Sequence, residues 1–218
     1  MSAPGIIASL LEPRAPFVVD DTLATADFLT PHYSVAGAAV TAADIIDQPG
    51  QVTGTGLQIL ADADVVNILG AFLAVLTAAE WTLVIEWDHG TTSSSMEPLV
   101  VTGPGNDNAV QILRQNGFSG HFLTVEDFAG SHFRGSTDSS GAIGDGIHKL
   151  ALTRVDAKLV FSIDGRAIVS NTSDSFSLAP TTAAFGGYPG DTVNDDLYIR
   201  SLRIYAAVSD ATLPLLSA

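Results

Sequence analysis

The sequence contains no cysteine, which excludes a disulfide framework, a thiolate metal site and a cysteine nucleophile together. Basic residues are scarce: 9 Lys and Arg stand against 24 Asp and Glu, a formal net charge of −15. They are scattered singly from Arg14 to Arg203. With no cluster to neutralise phosphates, neither nucleic acid nor an acidic membrane surface is an expected partner. Charged residues make up only 15% of the chain and apolar ones 46%, a balance that supplies a sizeable core and argues against disorder. No apolar run reaches the roughly 18–20 residues that span a bilayer. The longest, residues 65–79 (VVNILGAFLAVLTAA), reads as a buried helix. Ile68, Leu69, Phe72, Leu73 and Leu76 share one face, small residues line the other, and Asp62 and Asp64 precede it where acid suits a helix start. The first residues lack a basic region and are interrupted by Pro4, Pro13 and Pro16, so no signal sequence is expected.

What is present is a succession of short strands. Residues 81–87 (WTLVIEW) alternate Thr82, Val84 and Glu86 against Leu83, Ile85 and Trp87, the pattern of a half-buried strand. Further strands are expected at residues 99–102, 109–114, 121–125 and 131–134, separated by segments rich in Gly, Asn and Asp. Residues 147–172 (IHKLALTRVDAKLVFSIDGRAIVSNT) read as a three-strand antiparallel meander, with Asp164-Gly165 as a type I′ hairpin signal. In the last strand, residues 197–205 (LYIRSLRIY), Leu197 and Ile199 have one parity and Leu202 and Ile204 the other. A bulge near Arg200-Ser201 is needed to keep all four inside. Ser209 is placed to cap a short terminal helix over residues 210–216. Residues up to about Thr30 show no clear period and are read as an N-terminal arm or docking segment, residues 1–30, ahead of a single sandwich domain, residues 31–218.

The order HKLALTR, KLVFSIDGR, FGGYPGD, LYIRSLRIY and VSDATL resembles the C-terminal half of laminin-G and concanavalin A-like lectin and glucanase domains. The likeness runs from about Trp81 to Leu216 and is tight from Ile147 onward. It implies an all-β, concanavalin A-like antiparallel β-sandwich, or jelly roll, with one or two short helices. Compact, cysteine-free forms of this domain are similar to accessory or decoration proteins of tailed-bacteriophage virions. The resemblance therefore implies a virion protein made in the host cytoplasm, with other virion proteins or copies of itself as partners and cell-surface glycan as a further one.

Glycoside hydrolases of this fold class place paired carboxylates on one strand and a further Glu beside them. Glu86 and Asp88 supply the pair, on one strand face. At the next same-face positions stand Gly90 and small hydroxyl residues, so a proton donor is missing. The expectation is a protein that is not an enzyme, with glycoside hydrolysis as a lesser alternative. The five histidines show no metal-ligand spacing, and no nucleophile elbow or phosphate loop is present.

A calcium site, common in the resembling family, would draw on Asp191, Asn194, Asp195 and Asp196, although ordinary turn chemistry is the preferred reading of that loop. For glycan recognition without catalysis, Tyr188 among glycines is the expected platform, with His89 and Asp107 as polar contacts. Phe17, Phe28 and Tyr33 are expected as apolar anchors of the arm on a neighbouring subunit. The leading expectation is an accessory virion protein, and the alternative is a carbohydrate-binding module for host-surface adsorption.

Overall fold

The computed structural model describes residues 22–76, 78–89, 96–103, 109–117, 120–127, 132–136, 143–155, 158–171, 180–188, 190, 193 and 196–218. Its strands in chain order are β1 (Thr22–Asp27), β2 (His32–Val35), β3 (Ala38–Ala39), β4 (Val52–Thr53), β5 (Gly56–Ile59), β6 (Val66–Asn67), β7 (Trp81–His89) and β8 (Met96–Thr102). They continue as β9 (Ala109–Gly117), β10 (Gly120–Asp127), β11 (His132–Ser136), β12 (Gly146–Val155), β13 (Lys158–Ile163), β14 (Val169–Asn171), β15 (Thr182–Phe185) and β16 (Leu197–Tyr205). Three short helices accompany them: α1 (Ala42–Ile45), α2 (Gly70–Leu76) and α3 (Leu213–Leu216).

The larger sheet runs β14-β13-β12-β7-β16-β1-β2-β3, with β5 joining β16 and β4 joining β5. The smaller runs β11-β10-β9-β8-β15-β6. One continuous apolar cluster draws on both, from Leu83, Ile85 and Trp87 of β7 to Leu99 of β8, Ile112 of β9 and Phe185 of β15. This is an antiparallel sandwich, as the alternation of β7 and the spacing of turns require. The meander is present as β12, β13 and β14. Its turn closes with Arg166 N–H on Ile163 O at 2.9 Å, and both Asp164 and Gly165 have positive φ, 50° and 68°, as a type I′ turn demands. Pairing resumes only at Val169.

Three expectations are corrected. The apolar run 65–79 is not one helix: Val66 pairs with Phe185 in β6, and helix begins only at Gly70. The β-branched pair Val65-Val66 favours strand, and Gly70, at φ 52° with Asp44 O 3.1 Å from where a Cβ would stand, makes the break between them. Asp62 accordingly lies in a left-handed turn, φ 62°, not at a helix start. The boundary after residue 30 falls inside the sheet, since β1 pairs with β16 and with β2. Phe28 and Tyr33 are not free anchors for a neighbour. Phe28 is fully buried, edge-on to Phe185 with centroids 6.1 Å apart, and Tyr33 is buried against it at 5.7 Å. Phe17 lies outside the described residues.

The outward face of the larger sheet is divided in two. At one end Val84, Ala151, Val160 and Tyr205 form a second apolar cluster with Leu213 and Leu216 of α3. Thr82 there shares a 2.5 Å hydroxyl bond with Thr153 and accepts the Val208 N–H at 3.0 Å. The helical turn starts after Ser209 as expected, although its hydroxyl meets the Thr212 hydroxyl at 3.0 Å rather than a backbone N–H. The other end of this face is left uncovered by α3.

Inside, His148 ties the segment before β12 to the β13–β14 turn. Its Nδ1 lies 2.8 Å from Asp164 Oδ2 and its Nε2 2.8 Å from Gly144 O, while Lys149 N–H donates to Asp164 Oδ1 at 3.0 Å. Partial burial pushes the Asp164 carboxyl up, but the His148 and Lys149 hydrogen bonds and the nearby positive charge of His148 and Arg166 outweigh it and hold the group below the ordinary carboxylate range. The unfolded chain therefore binds this proton more readily. The stabilisation is complete above the unfolded value of roughly 3.9 and is lost as pH falls through the lower folded value. Asp164→Asn is expected to lower stability at neutral pH and to flatten its fall below about pH 4, read by urea denaturation across that range. An unchanged acid limb overturns this assignment.

Candidate functional site

Strand registry arranges the uncovered end of the outward face in rows. Tyr198 of β16 is paired with Gln58 of β5 on one side and Asp88 of β7 on the other, and Asp88 is paired in turn with Ile147 of β12. In the next row Glu86 lies between Ser201 and Lys149. The expected bulge is present: the β16–β7 register shifts between Ile199 and Ser201, and Leu197, Ile199, Leu202 and Ile204 are all fully buried. Arg200 is the extra residue. The bulge keeps both parities of apolar side chain in the core and leaves Tyr198 and Arg200 half-buried on the outward side.

These residues line a cavity of about 450 Å³ formed by Leu29, Gly54, Thr55, Gln58, Asp88, Tyr198 and Arg200, within the size range of small-ligand clefts. Each wall has a local cause. Leu29 is held by an Asx turn in which Asp27 Oδ1 accepts the N–H groups of Leu29 and Thr30 at 3.1 and 3.0 Å. Gly54 and Thr55 form the β4–β5 turn, where Thr53 Oγ1 accepts the Thr55 N–H at 3.3 Å. Gln58 Nε2 donates to the Tyr198 hydroxyl at 3.2 Å, fixing the ring. Arg200 Nε lies 2.6 Å from Glu86 Oε1, and its carbonyl accepts the Phe28 N–H at 2.9 Å. Lys149, the cross-strand neighbour of Glu86, is turned away and donates to Ala218 O at 3.0 Å.

The cleft thus offers one aromatic ring, amide and hydroxyl groups, and a guanidinium and carboxylate on a rigid sheet. That set suits recognition of a polyhydroxylated ligand: a ring for C–H faces, fixed polar groups for hydroxyls. Asp88 is the one carboxylate among the described lining residues. Glu86, behind it, is occupied by Arg200.

Of the residues expected from sequence, Asp88 and Glu86 belong to this region, although the expectation for them was catalytic. His89 is corrected: it is fully buried, its ring 5.2 Å from that of His148, with Nδ1 accepting the Gly146 N–H at 3.3 Å. It faces inward because β7 places odd-numbered residues in the core, so it has no surface for a sugar. Tyr188 is half-buried in the bend after β15. Asp107, Asp191, Asn194 and Asp195 lie outside the described residues. Asp196 is exposed and its Oδ1 accepts the Ala61 N–H at 2.9 Å, a turn-stabilising role. No group of three or more His, Cys, Asp or Glu suited to a metal occurs among the described residues. No described helix is long and apolar enough to cross a membrane.

Sequence reasoning missed Tyr198, Arg200, Gln58, Leu29, Gly54 and Thr55. A signal was available for the first two. The bulge that the parity of residues 197–205 demands also puts a tyrosine and an arginine on the outward face beside Glu86 and Asp88.

No family model matches the chain, and no curated protein matches it. Solved structures do. The CBM40 domain of a Ruminococcus gnavus IT-sialidase, bound to α2,3-sialyllactose, has TM-score 0.54 and 17% identity, over 74% of this chain and 98% of that one. Domain 4 of AbnA, a GH43 extracellular arabinanase from Geobacillus stearothermophilus, in complex with arabinotriose, has TM-score 0.58 and 14% identity, over 91% of this chain and 98% of that one. Trypanosoma rangeli sialidase in complex with sialic acid has TM-score 0.64 and 11% identity over 92% of this chain, which spans 33% of the sialidase. At these identities the likeness concerns fold. The class is an all-β sandwich of the concanavalin A-like type, shared with these domains of carbohydrate-active proteins.

Proposed function

We propose that this chain is a non-catalytic carbohydrate-binding module whose site is the Tyr198 cleft. The carrying observation is the juxtaposition, by strand register and a single bulge, of Tyr198, Gln58, Asp88 and Arg200 around one 450 Å³ cavity. The fold is also that of a CBM40 domain and of an arabinanase domain solved with bound saccharides. Hydrolysis is disfavoured by chemistry. A glycosidase needs two carboxyl groups flanking one bond, one of them a proton donor, and here Asp88 is the one carboxylate among the described lining residues while Glu86 is held by Arg200.

The test is retention on a broad glycan array. Tyr198→Ala is expected to lower retention by about tenfold or more, since loss of a ring platform costs about 1–3 kcal/mol, with an unchanged thermal midpoint showing that the fold survives. Tyr188→Ala serves as the comparison. Loss on Tyr188→Ala alone moves the site to the sandwich rim, and flat retention across the array for the unmodified chain removes the reading.

A second reading, an accessory component of a bacteriophage virion that holds host glycan through this cleft, is supported by the absence of cysteine from the chain and by the lectin-like pattern of residues 147–216, since compact, cysteine-free forms of such domains are similar to virion accessory proteins. It is compatible with the first, since a decoration protein can bind sugar. Native mass by light scattering, with and without calcium, addresses it: a stable oligomer supports assembly, and a monomer in both conditions leaves only attachment to a different partner.

A further inference from the structure

Charge around the cleft defines which sugars it accepts. Arg200 is the one cation among the described lining residues, and its guanidinium is already paired with Glu86 at 2.6 Å. Asp88 adds a carboxylate in the same lining. The described lining itself balances Asp88 against Arg200, and Glu86 directly behind it makes the local charge net negative, on a chain whose total is −15. The nearest further cation by strand register, Lys149, is committed to Ala218 O. An anionic ligand would meet an arginine whose charge is compensated and a carboxylate that no cation among the described residues compensates.

Shape adds a second constraint. The Tyr198 row continues past Asp88 to Ile147, which is 53% exposed although it sits on a strand. Two strand spacings separate Tyr198 from Ile147, about 10 Å. An apolar surface at each end of a polar row fits a ligand with repeated C–H faces and hydroxyls between them, longer than one sugar ring.

We propose that the cleft takes an uncharged oligosaccharide laid across β16, β7 and β12, and that it discriminates against sialylated and uronic acid-bearing glycans. This rests on the reading of the Tyr198 cleft as a glycan site and specifies its ligand class. It sets this chain apart from the CBM40 domain solved with sialyllactose.

The experiment uses the full chain on an array carrying neutral oligosaccharides, each beside its sialylated and glucuronylated counterpart. Tyr198→Ala, Asp88→Asn and Ile147→Ser are run in parallel. Neutral probes are expected to be retained about tenfold or more above their acidic counterparts. Asp88→Asn is expected to narrow that ratio, because it removes the lining carboxylate while keeping the shape. Ile147→Ser is expected to weaken retention of the longer neutral probes and leave disaccharides unchanged.

Preferential, Tyr198-dependent retention of acidic probes overturns the proposal while leaving the cleft a glycan site. A neutral preference that Asp88→Asn leaves unchanged overturns the charge argument. Absence of retention of every probe by folded protein removes the glycan reading and this proposal with it.

Discussion

Replacing Trp87 with alanine is expected to destabilise the domain by about 3–5 kcal/mol, a large share of the roughly 5–15 kcal/mol that holds a typical domain together. Its indole is fully buried toward the C-terminal end of β7, the strand flanked by β12 and β16, and packs 5.8 Å from the His148 ring. Trp81→Ala, six residues earlier on the same inward face, is expected to cost about as much. The phenylalanine variants separate the two. Trp81 Nε1 donates to Leu76 O at 3.1 Å and anchors the end of α2. Trp81→Phe therefore strands a buried carbonyl, a penalty of about 1–3 kcal/mol beyond lost area. Trp87 Nε1 is buried with no hydrogen-bond partner among the described residues, so Trp87→Phe removes an unmet donor along with some packing. Urea midpoints are expected in the order wild type, Trp87→Phe, Trp81→Phe, then both alanine variants. A reversal of the two phenylalanine variants sinks the assignment of the Trp81 bond as structural.

Much of this architecture was legible because its signals are local. The alternation of residues 81–87, the Asp164-Gly165 turn and the parity break in residues 197–205 each depend on a few consecutive side chains, and each is present. The bulge was legible because four large apolar residues of mixed parity leave no other way to bury them. β1 was illegible for the opposite reason. Its inward residues include Ala24 and Ala26, each 1% exposed, while Leu23 and Thr25 are only half-buried. The hydrophobic contrast across the strand is nearly absent, and pairing with β16 and β2 decides the conformation. The run at residues 65–79 misled because the helical spacing that Phe72, Leu73 and Leu76 follow was extended back over residues 65–69, whose apolar side chains suit a strand equally well. The cleft was illegible for a third reason: Gln58, Asp88 and Tyr198 are brought side by side by register between strands far apart in sequence. Loop aromatics such as Tyr188 drew attention instead because glycine-rich surroundings are visible in one dimension.

The residue joining fold to cleft most tightly is Gly56, and Gly56→Ala is expected to damage both. Its φ is 120°, and a Cβ there would lie 2.6 Å from Ile199 O and 3.3 Å from Ile199 C. These are backbone atoms of β16, next to the bulge, so no side-chain rotation relieves the contact. The strained φ and the overlap together are expected to cost roughly 2–4 kcal/mol. Because β5 meets β16 over only a few residues, from Leu57 to Ile59, the cheapest relief is for β5 to lift away. That separates Gln58 from the Tyr198 hydroxyl and moves the Thr55 wall of the cavity. Retention of a Tyr198-dependent probe is therefore expected to fall together with the urea midpoint. Gly54→Ala is the matched control: it also lines the cavity, two residues away, but a Cβ there meets nothing within 4 Å. Its stability change is expected within about 0.5 kcal/mol. Equal midpoints for the two variants are incompatible with the close approach of β5 to β16. A lowered midpoint for Gly56→Ala with full retention in the folded fraction separates the strand contact from ligand recognition and places the binding surface away from β5.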